Sequence, residues 1–196
     1  MAAQIYTFKI TYENCDNRIW RTAEVSSNYT LAKLGYLILA SFDTLAYHLF
    51  EITFREDRYV LPFEDCLEDL ADGAYLLDWW KLSKFNIQIG KHMEMVYDFG
   101  CEQVFDIELL AVRDLEPHHG KAYPKIVDGA GRGIVDDLPA QELLDVIRRI
   151  DGGKTSGIYY NEEKQEWDYR YFTVGNNNIL TRAGLPFIQE GYETYE

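Results

Sequence analysis

Paired cysteines, long apolar runs and basic charge are all scarce in this chain, and each scarcity removes a class of function. The three cysteines, Cys15, Cys66 and Cys101, are odd in number and far apart. No Cys-x-x-Cys occurs, which excludes a zinc ribbon or a dithiol redox motif on spacing. Reduced thiols in a cytoplasmic protein are the expectation. No apolar run approaches the roughly 18 residues of a membrane span. The longest candidate, Leu34 to Ala40, is far too short. The opening residues, Met1-Ala2-Ala3-Gln4-Ile5, lack the basic and apolar blocks of a signal peptide. A cytoplasmic location without membrane contact is therefore expected.

Lysine and arginine number 19 against 33 acids, a net charge of -14. The imbalance is uneven: the first fifty residues carry four acids and four bases, and residues 51–100 carry eleven acids and five bases. Such a surface repels phosphate backbones, so nucleic acid is not an expected partner. Excess acid serves solubility. The sharper reading is an acidic face that imitates nucleic acid or attracts a basic partner.

What is present is core material. With 47% hydrophobic and 15% aromatic residues over 196 positions, the chain can bury roughly 70% of its extended surface. Ile5 to Tyr12 alternates with a period of two and predicts a first strand. Glu13 to Asn17 is a polar turn, and Ile19 to Val25 resumes the alternation and closes a hairpin. Thr30 is placed to cap a helix through Ala40, with Leu31, Leu34, Leu37 and Ile38 on one face. His48 to Phe54 predicts a third strand. Hairpin, helix, strand in that order resembles a β-grasp (ubiquitin-like) core.

Further on, Phe63 to Ala71 predicts a short acidic helix. Phe85 to Ile89 and Met93 to Tyr97 predict a second hairpin around Gly90-Lys91, and Val104 to Val112 another strand. Residues 114–135 read as loop. A late helix runs from Pro139 to about Ile150, with Asp137 as its cap. It buries Leu143, Leu144, Ile147 and Ile150 and ends at Gly152-Gly153. Trp167 to Val174 reads as an aromatic strand, 175–178 as a turn and 190–196 as a frayed end. The expected fold is α+β: the β-grasp-type core with extra antiparallel strands and a late helix. The expected organisation is a domain over residues 1–151 and a C-terminal aromatic extension, residues 152–196, packed on it.

Candidate chemistry is sparse. Gly152-Gly153-Lys154-Thr155 ends like a phosphate loop, but Arg148 stands where the loop's first glycine belongs, and a helix precedes it. Gly129, Gly131 and Gly133 fall short of a dinucleotide fingerprint because no helix follows at once. They fit a loop that needs glycine's backbone freedom, with Arg132 available to an anion. No cofactor is expected. His118-His119 are adjacent in a loop, where neither face of a strand would let both coordinate. A metal site using His48 with Asp98 and Asp128 requires the fold to bring them together. Asp98, just before a glycine, also suits a turn in which its carboxylate accepts backbone N–H groups. Cys101 is reactive only if it is exposed beside a base. Trp79-Trp80 and the aromatics of 167–174 have acids for neighbours, which favours core or interface packing over base stacking.

Ile19-Trp20-Arg21, Thr30-Leu31, His48-Leu49, Tyr97-Asp98-Phe99-Gly100, Ile107-Glu108-Leu109, Tyr123-Pro124 and Asp128-Gly129 follow one another in an order that resembles the Ri-plasmid (pRiA-type) ORF-three-like family. Its members are also labelled TnpR-like passenger proteins of insertion elements. The resemblance spans residues 5–150 and implies an α+β, β-grasp-like domain. Cys101 and Gln103 depart from it, standing where the family has an aspartate and a tryptophan. The loop at 131–137 departs from it too and keeps only its acids.

Asp98, Cys101, Asp128, Arg132 and Asp136 are the candidate binding residues. No catalytic residue or metal is assigned. The leading expectation is a non-catalytic protein-interaction module with a protein partner. A metal-assisted hydrolase using Asp98, Asp128 and Asp136 or Asp137 as oxygen ligands is the alternative. A DNA-recombination accessory of mobile elements is the further alternative that the family label implies.

Overall fold

Strand β1 (Gln4–Tyr12) turns Phe8, Ile10 and Tyr12 into the core and leaves Lys9 and Thr11 at the surface. The structure is a computed structural model that describes residues 3–63, 66–116, 122–153, 158–160 and 165–194. The turn after β1 places Asn14, Asp16 and Asn17 at positive φ, a conformation that Asn and Asp tolerate. Strand β2 (Trp20–Ser26) then pairs antiparallel with β1. Thr30 Oγ1 accepts from Lys33 N at 3.2 Å, so α1 (Leu31–Ser41) starts where the capping argument places it. The helix packs closely on β3 (Phe50–Phe54): a Cβ at Gly35 would lie 2.3 Å from the Phe50 ring.

Next come β4 (Asp57–Val60), α2 (Leu67–Ala71), β5 (Tyr75–Leu76), β6 (His92–Tyr97), β7 (Gln103–Asp114), β8 (Lys125–Ala130), α3 (Ala140–Asp151), β9 (Ile158–Tyr160), β10 (Gln165–Trp167) and α4 (Val174–Glu193). Eight strands form one sheet in the order β5-β4-β3-β6-β7-β1-β2-β8, and β9 pairs with β10 separately. All pairings in the large sheet are antiparallel except β4 with β5. The fold is thus mixed α+β. The hairpin–helix–strand succession is present, but β6 and β7 stand between β3 and β1.

Several expectations need correction. Phe85 to Ile89 is not a strand, because both edges of β6 are already taken by β3 and β7. Phe85 instead packs among Phe54, Tyr59 and Trp80. The predicted loop at 114–135 contains β8, an edge strand that buries only Ile126 and so shows no alternation. Asp137 does not cap α3; Pro139 occupies that position without a side-chain bond. The predicted stripe of α3 is buried as expected, and Gly152 ends it. His118-His119 and the Lys154-Thr155 end of the phosphate-loop look-alike lie outside the described residues.

The largest miss is α4. Strand character stops at Trp167, and residues 175–178 are the first turn of a twenty-residue helix that reaches Glu193. Glycines at 175, 184 and 191 and the internal Pro186 are poor helix formers. Tertiary bonding compensates. Thr173 caps the helix through Asn176 N, and Asn177 Nδ2 donates to Ser41 O at 2.9 Å. The Asn178 side chain pairs with both backbone groups of Ile126, at 2.9 and 2.7 Å. Asn178 therefore covers part of the free edge of β8, where an unpaired strand would invite association. The helix packs against α1 and β8, and Tyr192 stacks on Tyr36.

Arg21 ties these parts together. It is fully buried. Its guanidinium donates to Ser41 O at 3.0 Å, Trp20 O at 2.8 Å, Ala130 O at 2.7 Å and Arg132 O at 2.8 Å. Phe42 and Phe172 lie over it at 4.8 and 4.2 Å. Burial pushes its pKa down to about 9, with Asp43 acting in the opposite direction. The nearby glycine loop needs its glycines: Gly131 has φ +76, and a Cβ there would lie 2.6 Å from Arg18 O.

Candidate functional site

The backbone brings three loop segments to one end of β3 and β6. His48 lies just before β3, Asp98 just after β6, and Asp136 and Asp137 just before α3. Asp98 N donates to Leu49 O at 3.0 Å, which ties the first two segments. Asp98 has φ +56, and Cys101 N and Glu102 N both donate to its carbonyl. Its Oδ1 accepts from Gly100 N at 3.2 Å. The turn role expected for this acid is therefore present.

Only half of the carboxylate is used that way. The Asp98 side chain is 7% exposed. Its Oδ2 is buried, has no hydrogen-bond partner and lies 3.6 Å from His48 Nε2. The same nitrogen is 2.8 Å from Asp137 Oδ1. The ligand atoms of His48, Asp98 and Asp137 all lie within 4.8 Å of one another. Asp137, also at positive φ, accepts from the Tyr47 hydroxyl on its other oxygen. That hydrogen bond, with help from His48 and against some desolvation, holds the Asp137 carboxyl below the usual range.

Asp136 has a different part. Its oxygens accept from Tyr97 Oη at 2.6 Å and Leu45 N at 2.8 Å. Burial raises its pKa, and those bonds and His48 act in the opposite direction. It anchors the 42–49 loop rather than facing His48 with a free oxygen. Cys101 is not a poised nucleophile: burial first, then Asp98, push its thiol up to about 11. Gln103 is buried, accepts from the Tyr12 hydroxyl, and donates to Leu138 O at 3.0 Å.

Asp98, Cys101 and Asp136 thus converge, and Asp128 and Arg132 do not join them. Asp128 is exposed on β8 opposite Thr22. It lies four strand spacings from β6, roughly 19 Å. Its Oδ1 accepts from Gly129 N. Arg132 meets the Asp43 carboxylate at 3.1 Å, beside a cavity of about 420 Å³ that Phe172, Asn176 and Leu180 also line. His48 meets Asp98, as expected, but its other acid is Asp137 and not Asp128. Tyr47 and Tyr97 were missed, since only the meeting of loops 42–49 and 134–138 gives them their roles.

The outer face of the sheet is a second candidate surface. Its alternate positions are at least partly exposed and mostly polar, with Trp20, Val96 and Val104 among them. Glu94 stands directly opposite Asp106, and Glu108 opposite His92 and Lys9. Like charges facing each other across strands are unfavourable. Glu13 comes beside this pair: burial raises its pKa, and Glu94 and Asp106 raise it further. His92 Nδ1 reaches Asp106 at 2.7 Å. Among the described residues, Glu13 and Glu94 form no ion pair. A groove of about 380 Å³ runs past Lys9, Thr11, Glu13, Asn17, Asp106 and Glu108. Of the two adjacent tryptophans, Trp80 packs on Tyr59 and Tyr75 and Trp79 is exposed. The outer side of α4 exposes Ile179, Leu180 and Phe187. Among the described residues, no helix is long and apolar enough to cross a membrane.

Comparison with known proteins bears on the fold and the family. A family model described as plasmid pRiA4b ORF-3-like protein matches residues 4–174. No curated protein matches the sequence significantly. Among solved structures, the chain is similar to MM3350 from Methanosarcina mazei Go1, a protein of unknown function. The TM-score is 0.71 at 19% identity, over 90% of this chain and 98% of that one. At that identity the likeness concerns the fold.

Proposed function

This chain belongs to the plasmid pRiA4b ORF-3-like family, and within that family we propose that it is a protein-interaction module whose outer sheet face receives a basic protein segment. One observation carries the reading. Glu94 and Asp106 are held opposite each other with Glu13 beside them. His92 meets Asp106 at 2.7 Å, but Glu13 and Glu94 form no ion pair among the described residues, and a fold gains nothing from like charges so placed. Like charges met only in part within the fold are a usual mark of a working surface, where a partner supplies the rest. The net charge of -14 steers cationic partners toward the chain and repels nucleic acid. A cytoplasmic setting fits the three free cysteines. In the same reading, residues 152–196 are an extension of one domain, and β1, β2, α1 and β3 are a grasp-type unit widened by the intervening strands.

The test uses fluorescence anisotropy with a labelled lysine- and arginine-rich peptide and an acidic peptide of the same length. Binding of the basic peptide alone, weakened by salt and by the combined Glu13→Gln, Glu94→Gln and Asp106→Asn substitutions, is the expected result. Equal binding by parent and triple variant overturns the reading.

The metal-assisted hydrolase built on Asp98, Asp128 and Asp136 or Asp137 is set aside as composed, although Asp137 does stand near Asp98. Asp128 is four strands away, and both Asp136 oxygens already accept hydrogen bonds. The recombination accessory has no observation in its favour. Arg148, one of the two adjacent arginines of α3, faces Asp16 and Asp145.

A further inference from the structure

The geometry points to a divalent-metal site made by His48 Nε2, Asp98 Oδ2 and Asp137 Oδ1. The three atoms lie within 4.8 Å of one another, with the imidazole nitrogen 3.6 Å from Asp98 and 2.8 Å from Asp137. Ligands held about 2.0–2.2 Å from a common ion stand roughly 3–3.5 Å apart, so small side-chain adjustments suffice. This inference is independent of the sheet-face reading.

The unpartnered Asp98 oxygen is the second observation. A single imidazole nitrogen carries a single proton. The Nε2–H bond can serve Asp137 at 2.8 Å, and Asp98 Oδ2 is then left buried without a donor. Buried carboxylate oxygens ordinarily find partners. A metal ion in place of that proton bonds both carboxylates and the nitrogen at once.

The surroundings orient each ligand. Gly100 N holds Asp98 Oδ1 and leaves Oδ2 for the ion. The Tyr47 hydroxyl holds Asp137 Oδ2 and leaves Oδ1. Tyr192 bonds the His48 carbonyl, and Asp136 fixes the loop that carries Tyr47 through Leu45 N. Outer contacts of this kind set ligand direction in metal sites. One nitrogen and two oxygens suit Zn²⁺, Mn²⁺, Fe²⁺ or Co²⁺ better than Mg²⁺ or Ca²⁺, because imidazole is a borderline donor. Three protein ligands leave at least one position for water, the pattern of a reactive rather than a purely structural ion.

Isothermal titration of the chelator-treated full chain with Zn²⁺ or Mn²⁺ alone tests the site, together with the visible spectrum of the Co²⁺ form. One ion per chain, bound in the low-micromolar range or tighter, is expected. Asp98→Asn, Asp137→Asn and His48→Gln should each weaken binding by about tenfold or more and alter the Co²⁺ bands. Asn tolerates the left-handed backbone at both acids, so these variants should fold, as circular dichroism will verify. Asp128→Asn should bind as the parent does. Absence of one-to-one binding at millimolar metal overturns the site. So does unchanged affinity in Asp98→Asn and His48→Gln, which would place the ion on other groups.

Discussion

Arg21 and Asp98 are both charged, both almost wholly buried, and both meet the loops that follow α1 and β8. Around Arg21 the chain supplies four carbonyl acceptors and two aromatic faces. Around Asp98 it satisfies one oxygen and leaves the other facing a histidine shared with a second carboxylate. A buried charge whose every nitrogen finds an acceptor is architecture: it joins a strand, a helix end and a loop. A buried charge left half-met, on a turn with a left-handed backbone, contributes little to joining elements and leaves one oxygen open to a further contact.

The largest effect that would break this contrast is at Arg21. Arg21→Met removes one donor from each of four carbonyls, of which Ser41 O keeps Asn177, and should cost about 3–5 kcal/mol, the range for disrupting a buried charged network. Urea unfolding measures it, and a loss below about 1 kcal/mol would show that the guanidinium is incidental. Next is Asn178→Ala, which removes the side-chain partner of β8. About 1–2 kcal/mol of stability should go, with faster hydrogen exchange at the Ile126 amide.

Asp98→Asn in metal-free protein should change stability by no more than about 1 kcal/mol in either direction. Asn keeps the Gly100 bond and removes the unmet charge. A loss as large as that of Arg21→Met would make Asp98 architectural and erase the difference between the two regions. The smallest effect belongs to Glu13→Gln. The folded-state pKa of Glu13 lies above its ordinary 4.5, so ionisation works against the fold as pH rises through that raised value. The variant should therefore be more stable than the parent at pH 7, by a few tenths of a kcal/mol after solvent screening. The advantage should vanish below pH 4.5, and paired thermal melts at pH 7 and pH 4 would measure it.

The fold was legible where local signals agree. Alternation in β1 and β2, the Thr30 cap and the stripe of α1 all point one way, and each element stands within a residue or two of its expected place. The fold was illegible where long-range contacts override local preference. The Asn176-Asn177-Asn178 run reads as a turn until Ser41 and Ile126 supply its hydrogen bonds. An edge strand with one buried residue leaves no period to detect. At the site, Asp98 and Asp136 could be singled out by type and position. The pairing of His48 with Asp137 depends on residues 89 positions apart, which no spacing rule connects.

The Tyr192 hydroxyl bonds the carbonyl of His48, so the last turns of α4 and the imidazole share one thermodynamic link. Linkage is reciprocal. A ligand that binds His48 more tightly while this bond is made stabilises the closed end of α4, and fraying of α4 weakens that ligand's binding by the same factor in the equilibrium constant. The 144 positions of sequence between them collapse to one hydrogen bond, which makes the last turns of α4 a reporter on the state of His48.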